Sequence, residues 1–247
     1  MENKILIENL TYTTLLSLDE GKSTASGFFF QFDGVDYLVT AKHVLYENIT
    51  LRCKSILVSS QNYIGTIQNT RMFEIDAVQA EIISSPQDDI AIIPFGNLEK
   101  SQLNDHITII QEGTITPKSI SDKSIRLLEE IKIANDVFLV GFPTSLIFQN
   151  SKHFDPGKPL LRKGIVAGIN SLDNTFIIDC SAYYGNSGGP IIELGEDNTL
   201  RLIGVVSRYI PFVIEWRNNR ERSVTHNEFS NSGYSVCVPI DAITILI

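Results

Sequence analysis

The chain has 247 residues, and its 29 acidic side chains exceed its 20 basic ones, so the formal net charge is −9. This charge disfavours nucleic-acid binding, which depends mainly on attraction to phosphates. No apolar run approaches the roughly 18 to 20 residues of a membrane-spanning helix, and Glu2, Lys4 and Glu8 interrupt the N-terminus where a signal peptide would be apolar. We therefore expect a soluble, cytoplasmic protein with neither a membrane nor a nucleic-acid partner.

The residues before position 116 predict a first β unit. Its short Ile- and Val-rich runs are typical of strands and are separated by turn signals such as Asp33-Gly34. The predicted strands are 10–16, 27–31, 35–40, 49–58, 77–84 and 90–94. Residues 1–115 are therefore predicted to form a small barrel or sandwich.

A more polar segment follows, and 116–134 is predicted to be a linker. Residues 135–247 then predict a second β unit of similar size. Its predicted strands are 136–141, 164–170, 175–180, 189–194, 202–207 and 234–239, and the final DAITILI is compatible with a short helix.

The three cysteines are Cys53, Cys180 and Cys237, an odd number without CxxC spacing or a histidine at metal-ligand spacing. They predict buried free thiols in a reducing compartment. His106, His153 and His226 also lack flanking residues that would indicate a site. We expect no metal ion and no other cofactor.

Three short motifs carry the chemistry: TAKH ending at His43, DDIAII containing Asp89, and GNSGGP containing Ser187. A serine hydroxyl is a weak nucleophile at neutral pH because its proton must leave as it attacks. It needs a base within hydrogen-bond distance and a third group that orients this base. A histidine and a carboxylate, each next to an apolar strand, fit these two needs.

The order of these motifs resembles that of the trypsin-like (chymotrypsin-fold) serine peptidases, especially the bacterial HtrA-like branch. Further matches are SGFFF at 26–30, VGFP at 140–143, GIVAGI at 164–169 and GYSVCVPIDAI at 233–243. The resemblance extends over nearly the whole chain. It implies an all-β fold of two six-stranded antiparallel β-barrels, with the active site in the cleft between them and a short C-terminal helix.

The resemblance also implies roles for the motif residues. His43 would be general base and then general acid, Asp89 would orient it, and Ser187 would be the nucleophile. Asp88 competes with Asp89, but the family carboxylate stands immediately before the aliphatic pair. The N–H groups of Gly185 and Ser187 would form the oxyanion hole, which a glycine two residues before the serine permits.

Substrate preference follows from the same comparison. Ser181 takes the position at the base of the primary specificity pocket, so an uncharged P1 residue is expected rather than Arg or Lys. Ser207 and Tyr209 would line the substrate-binding strand. Either Tyr209 or Arg208 would narrow the pocket, or Arg208 would receive an acidic group.

Two differences bear on regulation, one from the digestive members of the family and one from the HtrA-like members. Asn186 replaces the aspartate with which digestive members capture a new N-terminus, so activation by trimming is not expected. HtrA-like members share this asparagine and are commonly regulated by loop ordering. The chain stops at Ile247, directly after the last motif, so we expect a bare protease domain without PDZ and regulation by loop ordering or by an activating partner protein.

The sequence thus predicts a serine endopeptidase acting on protein or peptide substrates. One alternative is a catalytically silent binding or scaffolding module of the same fold. A small-ester hydrolase is the other, although such enzymes usually place GxSxG on an α/β sheet with the histidine last.

Overall fold

A computed structural model describes residues 7–59, 69–114, 117–146, 155–195, 199–218 and 223–247. Antiparallel strands predominate in these residues, and the helices are no longer than six residues. Helix α1 (Lys42–Leu45) lies in the first half of the chain, and helix α2 (Asp241–Thr244) lies near its end. Short 3-10 helices lie at Ile7–Tyr12, Asp122–Ser124, Leu128–Glu130 and Thr144–Leu146.

The first half forms a curled ten-stranded sheet, where the family resemblance implied a barrel of six strands. Its main path runs β10, β9, β3, β2, β1, β6, β7, β11, while β8 pairs with β9 and β12 pairs in parallel with β2. Strands β4 and β5 form a separate hairpin after α1. The strands are β1 (Thr13–Leu18), β2 (Ser23–Phe32), β3 (Val35–Thr40), β4 (Tyr46–Glu47), β5 (Thr50–Leu51), β6 (Ser55–Ser59), β7 (Met72–Asp76), β8 (Ile83–Ser84), β9 (Ala91–Asn97), β10 (Gln102–Leu103), β11 (Ile107–Gln111) and β12 (Ser119–Ser121).

The second half forms a closed six-stranded antiparallel barrel, as predicted. Its strands follow one another around the barrel in the order β13, β14, β15, β18, β17, β16. Their bounds are β13 (Asp136–Gly141), β14 (Leu160–Asn170), β15 (Thr175–Asp179), β16 (Pro190–Leu194), β17 (Leu200–Asn218) and β18 (Ser223–Pro239).

Strands β17 and β18 are much longer than the sequence predicted. They stay paired from Gly204 opposite Pro239 to Asn218 opposite Ser223, whereas the pairing of β16 with β17 ends at Val205. Beyond the barrel the two strands form a ribbon that exposes Phe212, Trp216 and Phe229.

Strand β2 contributes side chains to two apolar clusters, one from each of its faces, and so connects the two halves of the chain. Phe29 points into the first sheet and makes edge-to-face contacts with Phe73 and Phe95. Phe28 and Phe30 point the other way, into a second apolar cluster. This cluster also holds Val205, Val238, Ile240 and Ile243, from the barrel and α2. The cleft between the two halves therefore rests on a shared core.

The segment predicted as a linker packs on both halves. Residues 119–121 form β12 on the first sheet, and Arg126 pairs with the fully buried carboxylate of Glu193 on β16, at 2.6 Å between Nη1 and Oε2. The Arg126 N–H also donates to Leu202 O on β17. The division of the chain at 1–115 and 135–247 stays a prediction.

Cys53, Cys180 and Cys237 are buried free thiols, as predicted. Within the described ranges, no helix has both the length and the apolar character needed to cross a bilayer.

Candidate active site

His43 and Asp89 lie at adjacent strand ends on the first sheet. His43 is in α1, just after β3, and Asp89 stands two residues before β9, which pairs with β3. The His43 Nδ1 is 2.7 Å from Asp89 Oδ2, and the His43 backbone N–H donates to Asp89 Oδ1 at 2.9 Å. The carboxylate thus fixes both the ring and the backbone of this histidine. Asp88 instead accepts from the Ser85 hydroxyl in the preceding turn.

Ser207 completes this hydrogen-bonded row from the other half of the chain. Its hydroxyl donates to Asp89 Oδ2 at 2.5 Å. Burial by itself raises the pKa of the Asp89 carboxyl, but hydrogen bonds from His43 and Ser207 and attraction to the His43 ring outweigh it and lower the pKa to about 2. Asp89 is therefore ionised at neutral pH and can stabilise a positive charge on His43. The His43 side chain keeps 47% of its surface exposed, so the opposite edge of its ring is accessible from the cleft.

Ser187 lies on a tight turn between the two halves. Gly185 has φ +97° and Gly188 has φ +86°, conformations that side chains with a Cβ rarely adopt. A Cβ on Gly188 would lie 2.2 Å from Ser26 O and Thr40 Oγ1. These two close neighbours belong to β2 and β3. The glycines let the turn approach the first sheet.

The Ser187 hydroxyl donates to Ser207 O at 3.1 Å. No hydrogen bond joins it to the His43 ring, although all the residues concerned are among those described. His43, Ser187 and Ser207 nevertheless line the same cavity of about 300 Å³. Rotation of the Ser187 side chain is thus the step that would bring its hydroxyl to His43.

Two backbone N–H groups of the turn are free to bind an anion. Within the described residues, neither Gly185 N–H nor Ser187 N–H donates to a protein acceptor. The Tyr184 carbonyl is turned away from them and accepts from Ser145 N–H at 3.3 Å. Paired backbone donors next to a nucleophile are what an oxyanion hole requires.

Ser26, a fully buried residue of β2, holds this turn in place. Its hydroxyl donates to Gly185 O at 2.7 Å and accepts from Phe142 N–H at 2.8 Å. Its backbone N–H donates to Ser187 O, and its carbonyl accepts from the Thr40 hydroxyl at 2.8 Å. One residue therefore connects the first sheet to the turn around Ser187 and to the end of β13.

Asn186 orders the turn from within. Its side-chain oxygen accepts from Tyr183 N–H at 2.9 Å, and its backbone N–H and carbonyl bond to Tyr183 O and Gly189 N–H. The residue is 2% exposed. A neutral amide thus satisfies its neighbours locally, without an N-terminal ammonium.

The predicted specificity residues are only partly brought together. Ser207 and Tyr209 line the cavity of Ser187, and the Tyr209 ring meets that of Tyr184 edge to face, with centroids 6.1 Å apart. Ser181 is half-buried and is not among the residues that line this cavity. Its hydroxyl lies beside Gly233 of β18, 3.9 Å from where the Cβ of an alanine at that position would be.

Sequence reasoning missed two contributors. Ser26 was noted only as part of SGFFF, and Ser207 was placed on the substrate side without its bond to Asp89. The signal for Ser26 is the choice of serine in an otherwise apolar buried strand, since a buried hydroxyl needs partners.

The other histidines do not join the site. His106 lines a separate cavity with Lys54 and Asp105, and His226 is exposed on the ribbon opposite Trp216. His153 lies outside the described residues. In the part of the chain that the structure describes, no group of three or more His, Cys, Asp or Glu side chains could hold a metal ion.

Comparison with known proteins gives three results. The family model for the trypsin-like peptidase domain matches residues 25–205, which include His43, Asp89 and Ser187. No protein with a curated description matches the sequence. Solved structures of HtrA-type proteases share the fold.

Among these structures, the serine endoprotease from Yersinia pestis is 17% identical with a TM-score of 0.56, and the match covers 96% of this chain and 61% of that one. Deg5 is 18% identical with a TM-score of 0.55, over 96% of this chain and 88% of that one. The HtrA-type protease AlgW with tripeptide is 17% identical with a TM-score of 0.55, over 96% and 59%. The chain thus spans about three fifths of the length of the Yersinia and AlgW chains. At these identities the likeness establishes the fold.

Proposed function

The chain belongs to the trypsin-like peptidase domain family, and from this premise we propose that it is a serine endopeptidase that hydrolyses protein or peptide substrates through an acyl-enzyme on Ser187. The observation that carries the proposal is the hydrogen-bonded row Ser207, Asp89, His43 in the same cleft as Ser187. A histidine that is hydrogen-bonded to a carboxylate and lies in the same cleft as a serine hydroxyl is the arrangement that nucleophilic acyl transfer needs.

Acylation begins when the Ser187 hydroxyl rotates from Ser207 O towards Nε2 of His43. As Oγ attacks the substrate carbonyl carbon, its proton passes to Nε2, and Asp89 stabilises the imidazolium through Nδ1–H. The carbonyl oxygen becomes an oxyanion that accepts hydrogen bonds from Gly185 N–H and Ser187 N–H. When the C–N bond breaks, the leaving amine takes the proton from Nε2 and an ester remains on Ser187.

Deacylation repeats these steps with water. His43 removes a proton from the water as its oxygen attacks the ester carbon, and the same two N–H groups stabilise the second oxyanion. Collapse of this intermediate breaks the bond to Oγ, and Nε2 returns its proton to Ser187. The net reaction adds one water molecule across one peptide bond.

Substrate contacts are expected at residues that line the cavity of Ser187 or lie beside it. We expect an uncharged P1 side chain to lie near Ser181 and against the contacting rings of Tyr184 and Tyr209, while the substrate backbone runs along Ser207 to Tyr209. Regulation by a partner protein or by loop ordering would act on the contacts of Ser26 with the turn around Ser187.

The first experiment is to label the purified chain with a small fluorophosphonate and to measure intact mass, with Ser187→Ala as the control. A single adduct that is absent from the variant supports the proposal, and cleavage of a denatured protein substrate should then accompany it. An adduct without peptide cleavage, together with rapid turnover of small esters, would indicate an ester hydrolase instead.

One observation favours the silent binding module as a second candidate: the Ser187 hydroxyl is bonded to Ser207 O rather than to His43. If this bond holds the serine permanently, no adduct forms even after long exposure to the fluorophosphonate. Labelling at a rate similar to that of a free serine would lead to the same conclusion.

A further inference from the structure

The cleft around Ser187 carries positive charge, in contrast to the net charge of −9 of the whole chain. The cavity of about 300 Å³ that holds Ser187 is lined by two arginines, Arg52 and Arg208, and by no carboxylate. Apart from His43 and Val44, the rest of its lining consists of alanine, serine, threonine and tyrosine residues. A cavity of this charge favours a negatively charged ligand.

The two arginines are held differently. Arg52 donates from Nη1 to His43 O at 2.9 Å, so its guanidinium is fixed beside the histidine. Arg208 follows Ser207 on β17, where its backbone pairs with Val236, and it is exposed. Among the described residues its side chain makes no hydrogen bond and no ion pair. A guanidinium without a protein partner keeps its planar set of donors available for a carboxylate.

Arg208 also borders a second cavity of about 450 Å³ on the other side of His43. The carboxylates there already have partners: Asp88 accepts from the Ser85 hydroxyl, and Asp89 accepts from His43 and Ser207. The Lys42 ammonium in this cavity donates to Ser85 O at 2.6 Å. Arg208 is therefore the arginine that lines both cavities and whose side chain has no protein partner among the described residues.

We propose that Arg208 is a specificity-determining residue that selects substrate segments with an acidic side chain within about three residues of the scissile bond, with Arg52 as the second cation of the cleft. This inference rests on the proposed function, because it assigns a substrate class to that site. The inference is compatible with an uncharged P1 residue, because Arg208 lines both cavities whereas the P1 side chain is expected at the tyrosines. The substrate is then an acidic peptide segment rather than a basic one.

The test uses binding to the Ser187→Ala variant, so that it does not depend on turnover. Short rhodamine-labelled peptides are made in pairs that differ only by Glu or Gln at one position, and this position is moved along the peptide. Fluorescence anisotropy gives the affinity of each member of a pair. At low salt we expect the Glu peptide to bind roughly threefold to tenfold more tightly than the Gln peptide at one or two positions, the range of an exposed to half-exposed ion pair.

Two further variants identify the residue. Arg208→Gln in the same background should abolish the preference for Glu, while Arg208→Lys should retain part of it. Lys100→Gln is the matched control for the lost charge, because Lys100 is exposed in the turn after β9, at the far end of this strand from Asp89. The preference should also weaken as salt is added.

Equal affinity for the Glu and Gln peptides at every position overturns the inference. Binding so weak that the affinities of the two peptides cannot be distinguished overturns it too. A preference that survives Arg208→Gln assigns it to another group and overturns it as well. Failure of the proposed function looks different, because the Glu preference would then be present while the chain with Ser187 intact cleaves none of the peptides.

Discussion

Replacing Ser26 by alanine tests how the cleft is held together. The substitution removes one hydroxyl and leaves two buried groups without their partner, the Phe142 N–H and the Gly185 carbonyl. Each such group costs about 1–3 kcal/mol, so we expect the free energy of unfolding to fall by about 3 kcal/mol once partial relaxation is included. The carbonyl that is released belongs to the turn that presents the two free N–H groups, so the turn should also lose its fixed geometry.

The assay compares the rate of fluorophosphonate labelling with thermal unfolding. Loss of one oxyanion-hole donor costs about 10²–10³ in rate, and we expect Ser26→Ala to label at least about tenfold more slowly at a temperature where it is folded. Ser235→Ala is the matched control. Ser235 is also fully buried, and its hydroxyl likewise donates to a carbonyl, that of Cys180, and accepts from a backbone N–H, that of Ala182.

Ser235→Ala should lose similar stability and keep the labelling rate of the wild type, because a small fluorophosphonate does not need the P1 pocket. The reasoning is refuted if folded Ser26→Ala labels as fast as the wild type. It is also refuted if both variants slow labelling equally, since the effect would then follow stability alone.

Asp89→Asn should slow labelling by about 10³ to 10⁴, because an amide cannot stabilise the imidazolium. Because the pKa of Asp89 is lowered to about 2, its ionised form contributes about 2 kcal/mol of stability above about pH 4, and this contribution is lost as the pH falls towards 2. Urea unfolding should therefore show the advantage of the wild type over Asp89→Asn shrinking between pH 5 and pH 2.5; a constant difference contradicts this. Ser207→Ala removes a hydroxyl but keeps the carbonyl, and labelling should slow about threefold to tenfold; an unchanged rate would make the bond to Asp89 incidental. Gly188→Ala places a Cβ 2.2 Å from a backbone oxygen at a positive φ and should destabilise the chain by at least about 3 kcal/mol in thermal unfolding, whereas Gly168→Ala, whose Cβ meets nothing within 4 Å, should cost less than about 1 kcal/mol. Equal costs for the two glycines would reject the steric argument.

Much of the candidate site could be predicted because its residues stand in short motifs. His43 and Asp89 each adjoin an apolar strand, and the structure joins them by two hydrogen bonds. The bonds from Ser26 to Gly185 and from Ser207 to Asp89 could not be predicted, since they join residues 159 and 118 positions apart. Strand periodicity says which side of a strand a side chain takes, and it says nothing about which distant segment lies opposite.

About as much of the fold as of the candidate site could be predicted from the sequence. The strands of the second barrel follow apolar runs, and β13 has the predicted bounds. Strand β7 was missed because Met72–Asp76 alternates with charged residues, and a turn was mistaken for the strand 77–84, of which only Ile83–Ser84 is β8. The ribbon of β17 and β18 was missed because the outer part of β18 is polar and that of β17, although apolar, is exposed. Pairing between the strands, rather than burial, maintains it.

The long chain separation between Ser26 and Gly185 also bears on how the protein is made. On the ribosome, the first sheet with His43 and Asp89 is complete long before residues 185–190 are added. The contact between Ser26 and Gly185 joins residues 159 positions apart. It forms late, because the entropy cost of closing such a loop comes before the contact can stabilise it. A nascent chain therefore holds the paired His43 and Asp89 before Ser187 is added. If the proposed function holds, the chain gains activity only when most of its own backbone is already folded and protected from cleavage.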